Sequence, residues 1–343
     1  YAEAAGVYID LIQHDLITDA SAVSFADTIL RVKDPRRRER LIKDYIHHFP
    51  HHQWGYTVLA GFYSEQGRYE KGLAVLLEQL DQHAEDYDFV VQIGNLYRYK
   101  KDFVNARDYF SRALALDDSR PEAFAGMGSV CVMQDKNAAE AMHYFTEGLK
   151  RDKTYIDLYK EIAHLHYFLN KDYAAALRWV DKGLALQGSA DGRHLLLDLR
   201  GRILSEMDNP ESALKSFEKA AEAGHFYACP YQGLGTIYKR MGDFQHAEES
   251  YLNVIALEPQ KIKGYLNLIE LYLHNGEHDK AARMIQEARE LDLDTQSDKI
   301  VTGYEGFLNI LRQEYDTAER LFRSLGQTDE YSHIQTVGLG HLH

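Results

Sequence analysis

The sequence predicts an all-α chain made of one helical hairpin repeated along its length. Residues 231–259, YQGLGTIYKRMGDFQHAEESYLNVIALEP, contain two apolar stripes at helical spacing with a Gly-Asp turn signal between them, and Pro259 ends the second stripe. The same order of residue types returns 34 residues later, from Tyr265 to Leu291. Repeats of this length stack side by side, so that each hairpin buries its apolar face against its neighbours.

The small residues of each unit predict where its two helices touch. In residues 231–259, Gly235 stands in the first helix and Ala247 in the second. Helices approach closely where a glycine or alanine faces the partner backbone, and Tyr and Phe side chains fill the space between adjacent hairpins. We therefore expect Gly235 and Ala247 to be contact points within one hairpin.

The order of these residue types resembles the tetratricopeptide repeat, which has an aromatic residue, Leu-Gly and a tyrosine, and later an alanine, an aromatic residue and a proline. The matching residues are Tyr231, Leu234, Gly235, Tyr238, Ala247, Tyr251 and Pro259. The resemblance covers nearly the whole chain and implies a right-handed superhelical solenoid of antiparallel helix pairs. About nine units are predicted within residues 19–332, starting near residues 19, 53, 87, 121, 156, 194, 228, 262 and 299.

Some units depart from this pattern. The units starting at 121 and 156 each have one residue too many in the turn, and an insertion there leaves the helix packing intact. In the unit starting at 19, Arg38 stands where a small residue is expected. Asp34 and Asn209 each precede a proline, which predicts capped second helices that begin at Pro35 and Pro210.

Both ends of the sequence are expected to lie inside repeats. Residues 1–18 are predicted to form the second helix of a truncated repeat, because Ala4, Tyr8 and Leu11 stand at the repeat spacing. Residues 333–343 are predicted to start a further repeat. Because stacked repeats need polar caps at both ends, we expect this chain to be the ordered section of a longer protein.

Charge and composition narrow the classes of partner. The formal net charge of −14 disfavours nucleic acid, because binding to phosphate backbones requires concentrated lysine and arginine. The apolar runs are shorter than the roughly 18 residues needed to cross a bilayer, so no membrane span is predicted. Two cysteines, Cys131 and Cys229, do not identify the redox compartment, and the localisation is left open.

The sequence predicts no catalytic, cofactor or metal site. It contains no GxxxxGK(S/T), HExxH or GxSxG motif. The histidine-rich stretch HHFPHHQW, residues 47–54, is interpreted as the joint between two repeats, because Pro50 interrupts the helix and keeps His47 and His51 off one continuous face. A zinc site would need further fixed ligands, and no cysteine lies nearby. We therefore expect a protein that is not an enzyme.

Stacked hairpins leave a concave groove lined by their first helices, and such grooves bind a peptide or helix of a partner protein. The residues expected to line it stand just after each small Leu-Gly position and one helical turn to either side: Asn95, Arg98, Tyr99, Lys160, His164, Tyr167, Arg202, Lys239, Arg240, Asn267 and Glu270. Their positive charges favour an acidic partner segment. The alternative is that Arg202, Lys239 and Arg240 only pair with glutamates on neighbouring helices.

The function expected from these features is that of a noncatalytic scaffold that binds a partner protein in the groove. Two alternatives stay open. The array could be the recruiting arm of a larger enzyme or of a secretion or assembly protein. Copies of the array could also stack end to end into an architectural homo-oligomer.

The substitution Ala247→Leu tests the predicted contact point between two helices. The larger side chain should overpack the hairpin and lower the free energy of unfolding by about 1–3 kcal/mol. Circular dichroism melting measures this change. An unaltered melting temperature would show that Ala247 does not lie at a close contact.

Overall fold

The computed structural model describes residues 29, 32 and 34–325, apart from 51, 82–83, 187–191, 225–226 and 292. Regular structure in this part of the chain consists of 17 α-helices and two π-helical turns without a strand, which confirms the all-α class. None of these helices is long and apolar enough to cross a membrane. The predicted partial repeats at 1–18 and 333–343 lie outside the described residues, as does most of the first helix of the unit starting at 19.

The chain divides into two compact units, Tyr1–Trp179 and Val180–His343, and each is described by itself. The helices of unit 1 are α1 (Pro35–His48), α2 (Gln53–Glu65), α3 (Tyr69–Glu78), α4 (Tyr87–Tyr99), α5 (Phe103–Leu116), α6 (Glu122–Val130), α7 (Ala138–Arg151) and α8 (Ile156–His164). Helix α9 (Tyr173–Leu184) contains the division between the units.

Unit 2 repeats the same architecture. Its helices are α10 (Arg193–Glu206), α11 (Pro210–Ala223), α12 (Ala228–Met241), α13 (Phe244–Leu257), α14 (Ile262–His274), α15 (His278–Arg289), α16 (Thr295–Leu311) and α17 (Tyr315–Ser324). In both units successive helices pair into hairpins, and each hairpin packs against the next along the chain.

Polar residues cap the two helices whose starts are marked by prolines. Asp34 accepts hydrogen bonds from two backbone amides in the first turn of α1, at 2.9 and 3.3 Å, and Pro35 begins that helix. Asn209 accepts one from a first-turn amide of α11, at 3.2 Å, and Pro210 begins α11. First-turn amides have no partner within the helix, so a proline costs nothing there. Both predicted helix starts are confirmed.

The turns inside the hairpins share one backbone feature. In each turn one residue has left-handed backbone dihedral angles, and it lies two positions before the first residue of the second helix. The left-handed residues are Gly67, Lys101, Lys136, Lys171, Asp208, Gly242, Gly276 and Gln313. Glycine adopts this conformation without strain, whereas a side chain there costs about 1–2 kcal/mol. The glycine of the predicted Gly-Asp turn signal, Gly242, is therefore explained by its φ of 78°.

Two hairpins of unit 1 have a wider turn. At Cys131–Asp135 and Leu165–Leu169 the first helix ends in one π-helical turn. In an ordinary hairpin the amide before the second helix donates to the carbonyl five residues earlier, as Asp243 does to Tyr238 at 2.9 Å. In the wider turns the acceptor lies six residues earlier, as it does for Asn137 at 3.1 Å. The extra residue in the units starting at 121 and 156 is therefore absorbed by a π turn.

Aromatic rings of the second helices pack against glycines of the first helices. In unit 1 the ring of Phe110 lies between Gly94 of its own hairpin and Gly126 of the next. A Cβ atom on these glycines would come within 2.8 and 2.4 Å of the ring. In unit 2 a Cβ on Gly235 would come within 2.4 Å of the Tyr251 ring. Gly235 is thus confirmed as a contact point, but the expectation that it faces the partner backbone was wrong, because it faces a ring.

Replacing Lys101 by glycine should stabilise the protein. Lys101 has a φ of 66°, so Lys101→Gly should relieve strain and raise the free energy of unfolding by up to about 1 kcal/mol. The adjacent Lys100 has a φ of −68°, so Lys100→Gly should lower stability by about 0.5–1 kcal/mol, because glycine loses more entropy on folding. Urea unfolding compares the two variants. Changes of the same sign would contradict the assigned strain.

Candidate functional site

In unit 1 the predicted groove residues gather around a partly buried glutamate that the sequence did not single out. Glu161 of α8 interacts electrostatically with Lys160 and His164 on its own helix and with Arg98 on α4. Asn95 accepts a hydrogen bond from Arg98 Nη2 at 3.1 Å. We call the residues that meet here the ionic cluster: Arg98, Ser129, Asp157, Lys160, Glu161 and His164.

Short contacts hold the ionic cluster together. The hydroxyl of Ser129 on α6, a buried residue, lies 3.0 Å from Glu161 Oε2. Lys160 Nζ lies 2.5 Å from Asp157 Oδ1 and 3.8 Å from Glu161 Oε1. Only 19% of the Lys160 side chain and 17% of the Glu161 side chain are exposed. Apart from His164, two cations and two carboxylates balance each other in a partly dehydrated site.

Burial and neighbouring charges have opposite effects on the two central groups. Burial raises the pKa of Glu161, but Lys160 and the other cationic groups of the ionic cluster outweigh it, so this pKa lies below its ordinary value. Burial lowers the pKa of Lys160, but Glu161 and Asp157 outweigh it, so this pKa lies above its ordinary value. Both groups are therefore charged at neutral pH.

Exposed apolar side chains stand at the turn ends of three first helices of unit 1, and two of them, Tyr99 and Phe168, contact the ionic cluster. Tyr99, Met133 and Phe168 are 47, 44 and 52% exposed, and they hold equivalent positions on consecutive hairpins. The guanidinium carbon of Arg98 lies 4.6 Å from the centre of the Tyr99 ring. Tyr167 packs edge-on against Phe168, with ring centres 4.6 Å apart. Exposed aromatic rings of unit 1 thus lie next to the ionic cluster, in which the charges balance.

In unit 2 the three predicted groove cations are all ion-paired. The pairs are Arg202 with Asp198 at 2.8 Å, Lys239 with Glu270 at 2.9 Å and Arg240 with Asp208 at 3.0 Å. Lys239 pairs with a glutamate on a neighbouring first helix, as the alternative interpretation expected. The two arginines pair with aspartates instead. The pair of Arg240 with Asp208 is exposed, and such a pair contributes about 0–1 kcal/mol, whereas Asp198 and Lys239 are mostly shielded from water.

Three predicted residues of unit 2 border an open cleft of about 720 Å³ between α12, α14 and α16. The unit-2 cleft is lined by Lys239, Arg240, Glu270, Leu273, His274, Tyr304, Phe307, Ile310 and Leu311. Its apolar wall on α14 and α16 was missed from the sequence. Carrying the groove positions of α14 one hairpin further, across the longer link before α16, would have found Tyr304 and Phe307.

Two buried polar atoms, one in the predicted groove residue Asn267 and one in Asp198, the ion-pair partner of Arg202, lack a hydrogen-bond partner among the described residues. They are Nδ2 of Asn267 and Oδ1 of Asp198. Asp198 is 8% exposed, and burial raises its pKa, an effect that Arg202 only partly offsets. Buried polar atoms without partners cost stability, so a water or a bound segment would be favoured at both positions.

One group of side chains in the described part of the chain has the spacing of metal ligands: Cys131, Asp135 and Glu140. The guanidinium of Arg107 already lies among them, with Nη2 2.6 Å from Asp135 Oδ2 and Nη1 4.0 Å from Cys131 Sγ. This group therefore already contains a cation, and it fits a structural role at the π turn.

Two histidines of the stretch 47–54 have partners of their own. His48 Nδ1 lies 2.7 Å from the carbonyl oxygen of Asp44, and His52 Nδ1 lies 3.0 Å from the hydroxyl of Tyr45. His48 is the last residue of α1, so the interpretation of this stretch as a joint agrees with the end of a helix there.

Glu161→Gln should destabilise unit 1 and weaken its response to acid. Because folding lowers the pKa of Glu161, its contribution to stability is present above pH 4.5 and is lost as the pH falls through the lower folded-state value. At neutral pH the substitution removes one partner of Lys160 and should cost about 1–3 kcal/mol.

Urea unfolding at neutral pH and below pH 4.5 measures both effects of Glu161→Gln. Glu78→Gln, at an exposed position on α3, is the matched control and should change neither quantity. An acid response of Glu161→Gln equal to that of the wild type would contradict the role assigned to Glu161.

Known sequences share the repeated hairpin. The family model described as tetratricopeptide repeat matches residues 63–123 and 233–296. The chain is similar to TPR repeat-containing protein MJ1428 of Methanocaldococcus jannaschii, with 23% identity over 249 residues, 72% of this chain and 40% of that protein. It is also similar to the Protein CTR9 homolog of Arabidopsis thaliana, with 23% identity over 214 residues, 59% of this chain and 19% of that protein. The chain spans less than half the length of both relatives.

Solved structures share the fold. Yeast Tom70 superposes with a TM-score of 0.59 at 17% identity, over 85% of this chain and 64% of that chain. The APC/C hetero-tetramer Cut9-Hcn1 gives a TM-score of 0.55 at 16% identity, over 81% of this chain and 54% of that chain. Likeness at these identities concerns the fold alone. The family model thus identifies tetratricopeptide repeats at residues 63–123 and 233–296, and the repeated hairpins and glycine-ring contacts of the described residues agree with that match.

Proposed function

We propose that the protein is a noncatalytic scaffold that binds a segment of a partner protein in the unit-2 cleft. The observation that supports this most is the cleft itself, in which an apolar wall meets two cations within about 720 Å³. Pockets that hold ligands typically measure about 300–1,000 Å³ and combine apolar lining with a few polar groups. The segment would place an apolar side chain against the wall and a polar group at the cations.

The cation at the rim favours an acidic segment. Arg240 Nη2 lies 3.0 Å from Asp208 Oδ1, but the Asp208 side chain is 89% exposed. Water screens such a pair, so Asp208 competes only weakly for Nη2 of Arg240, while Nη1 donates to Ser205 Oγ at 3.0 Å and holds the guanidinium in place. A carboxylate of the partner, partly dehydrated beside the apolar wall, would form a stronger charge-assisted hydrogen bond with Arg240.

The apolar wall favours a large aliphatic or aromatic side chain next to that carboxylate. Leu311 is 47% exposed, and the ring of Phe307 lines the same cleft. Covering this wall removes apolar surface from water, which contributes about 25 cal/mol for each Å² buried. The carboxylate would set the position of the segment, and the apolar residue would supply most of its affinity.

Selection from a library of random peptides displayed on phage tests the proposal. The wild type should enrich peptides that place Asp or Glu beside Leu, Ile or Phe. Arg240→Glu should shift the selected charge from acidic to basic, and Leu311→Asp should remove the apolar preference. Arg320→Glu makes the same charge change at an exposed position of α17, outside the cleft, and should select the same peptides as the wild type.

A peptide selected by the wild type should bind Arg240→Glu at least about tenfold more weakly in fluorescence anisotropy, or about 1.4 kcal/mol. Circular dichroism establishes that each variant is folded. Acidic peptides selected equally by Arg240→Glu and the wild type, or no common residue type selected by the wild type, would refute binding in this cleft.

A further inference from the structure

A second pocket in unit 2 lies between α9, α10 and α11 and has a volume of about 390 Å³. Four cationic residues line it, Arg193 and Arg200 from α10 and Lys215 and Lys219 from α11; no carboxylate of the described residues does, and most of the accessible lining is apolar. Such a concentration of positive charge is unexpected in a chain whose net charge is −14. The average composition of the chain therefore does not explain the positive charge around this pocket.

The structure holds two of these cations in place, and Arg193 Nη1 donates to the carbonyl of Leu186 at 3.3 Å. Arg200 Nε donates to Asp181 Oδ1 at 2.9 Å, and Arg200 Nη1 donates to Ser216 Oγ at 3.1 Å. Ser216 is 2% exposed, and its hydroxyl donates to the carbonyl of Ser212 at 2.9 Å. These contacts fix the plane of the guanidinium while Nη2 has no partner among the described residues. An ordered guanidinium with a free edge is suited to a flat or tetrahedral oxyanion.

The two lysines carry charge that the described residues do not neutralise. Lys215 and Lys219 lie one helical turn apart on α11 and line the same pocket. Within the described part of the chain neither has a hydrogen bond or an ion pair. Like charges at this spacing destabilise a helix by about 0.2–0.5 kcal/mol, and an anion bound between them would offset this cost.

We propose that this pocket binds a phosphate monoester group. Four cations less the carboxylate of Asp181 leave three positive charges, which suits a dianion with several acceptor oxygens better than a single carboxylate. The volume exceeds that of one phosphate, and Leu197 offers an apolar surface for the carbon group attached to it. The group belongs either to a small phosphorylated metabolite or to a phosphorylated side chain of a protein.

The pocket is separate from the unit-2 cleft. Arg193, Leu197 and Arg200 follow one another at helical spacing on α10, and Asp198 and Arg202 of the groove lie on roughly the opposite face at about 100° per residue. The phosphate proposal therefore does not rest on the proposed function. A ligand in the pocket leaves the groove face of α10 uncovered.

Thermal unfolding of the folded chain with inorganic phosphate as the probe tests the proposal. A ligand that binds the native state raises the melting temperature in proportion to the logarithm of its concentration, so phosphate should raise it more than chloride at equal ionic strength. The double variant Lys215→Gln with Lys219→Gln should bind phosphate at least about tenfold more weakly. The double variant Arg320→Gln with Arg323→Gln removes two cations from α17 and should keep the wild-type response.

Arg200→Gln should weaken phosphate binding as the lysine variant does, and circular dichroism establishes that each variant is folded. A phosphoserine tripeptide, compared with its unphosphorylated form, distinguishes the two sources. Tighter binding of the phosphotripeptide than of inorganic phosphate indicates a phosphorylated protein, and equal or weaker binding indicates a small phosphate ester. No melting shift above that of chloride, or equal shifts in the lysine variant and the wild type, would overturn the proposal.

Discussion

The contact of an aromatic ring with a glycine determines the spacing on which the rest of each unit depends. The ring fills the volume that a Cβ atom would take, so the two helices of a hairpin can approach closely while both remain packed. The same contact recurs between Phe145 and Gly128, Phe217 and Gly201, and Phe322 and Gly306. Phe110 and Phe217 each also meet a glycine of the following hairpin, so one ring sets two spacings.

Cations that look alike in the sequence differ between the two units in how easily they can exchange their carboxylate partners. In unit 1, Lys160 lies among carboxylates in a site where few side-chain atoms reach water, so separating it from them is expensive. In unit 2, Arg240 pairs with an aspartate that is almost fully exposed, so exchange of its partner costs little. Dehydration, rather than the number of charges, decides which cations a visiting carboxylate can use.

The parts of the fold that depend on residues close to one another in the sequence were predictable from it. The hairpins, the capped starts at Pro35 and Pro210, the left-handed Gly242 and the extra residue in two turns all follow from local patterns. The burial of Glu161 was not predictable in this way, because it depends on Arg98 and Ser129, which lie far away along the chain.

The basic pocket was equally hidden in the sequence. Lys215 and Lys219 stand among other charged residues of α11, and such a pattern is typical of a solvated helix face. Only the packing of α11 against α10 brings them to the two arginines. The wall of the unit-2 cleft was missed for a different reason, since the longer link before α16 displaces its residues from the regular period.

At both π turns, the extra residue of the repeat lies in the turn between the two helices of a hairpin. The residue gained at Cys131–Asp135 changes the path of the backbone for one turn, and Gly128 before the turn still meets the ring of Phe145 after it. Repeats of this chain therefore differ in length by one residue while the helices on either side of the turn still form a hairpin. The period of a hairpin can drift while its interior stays the same.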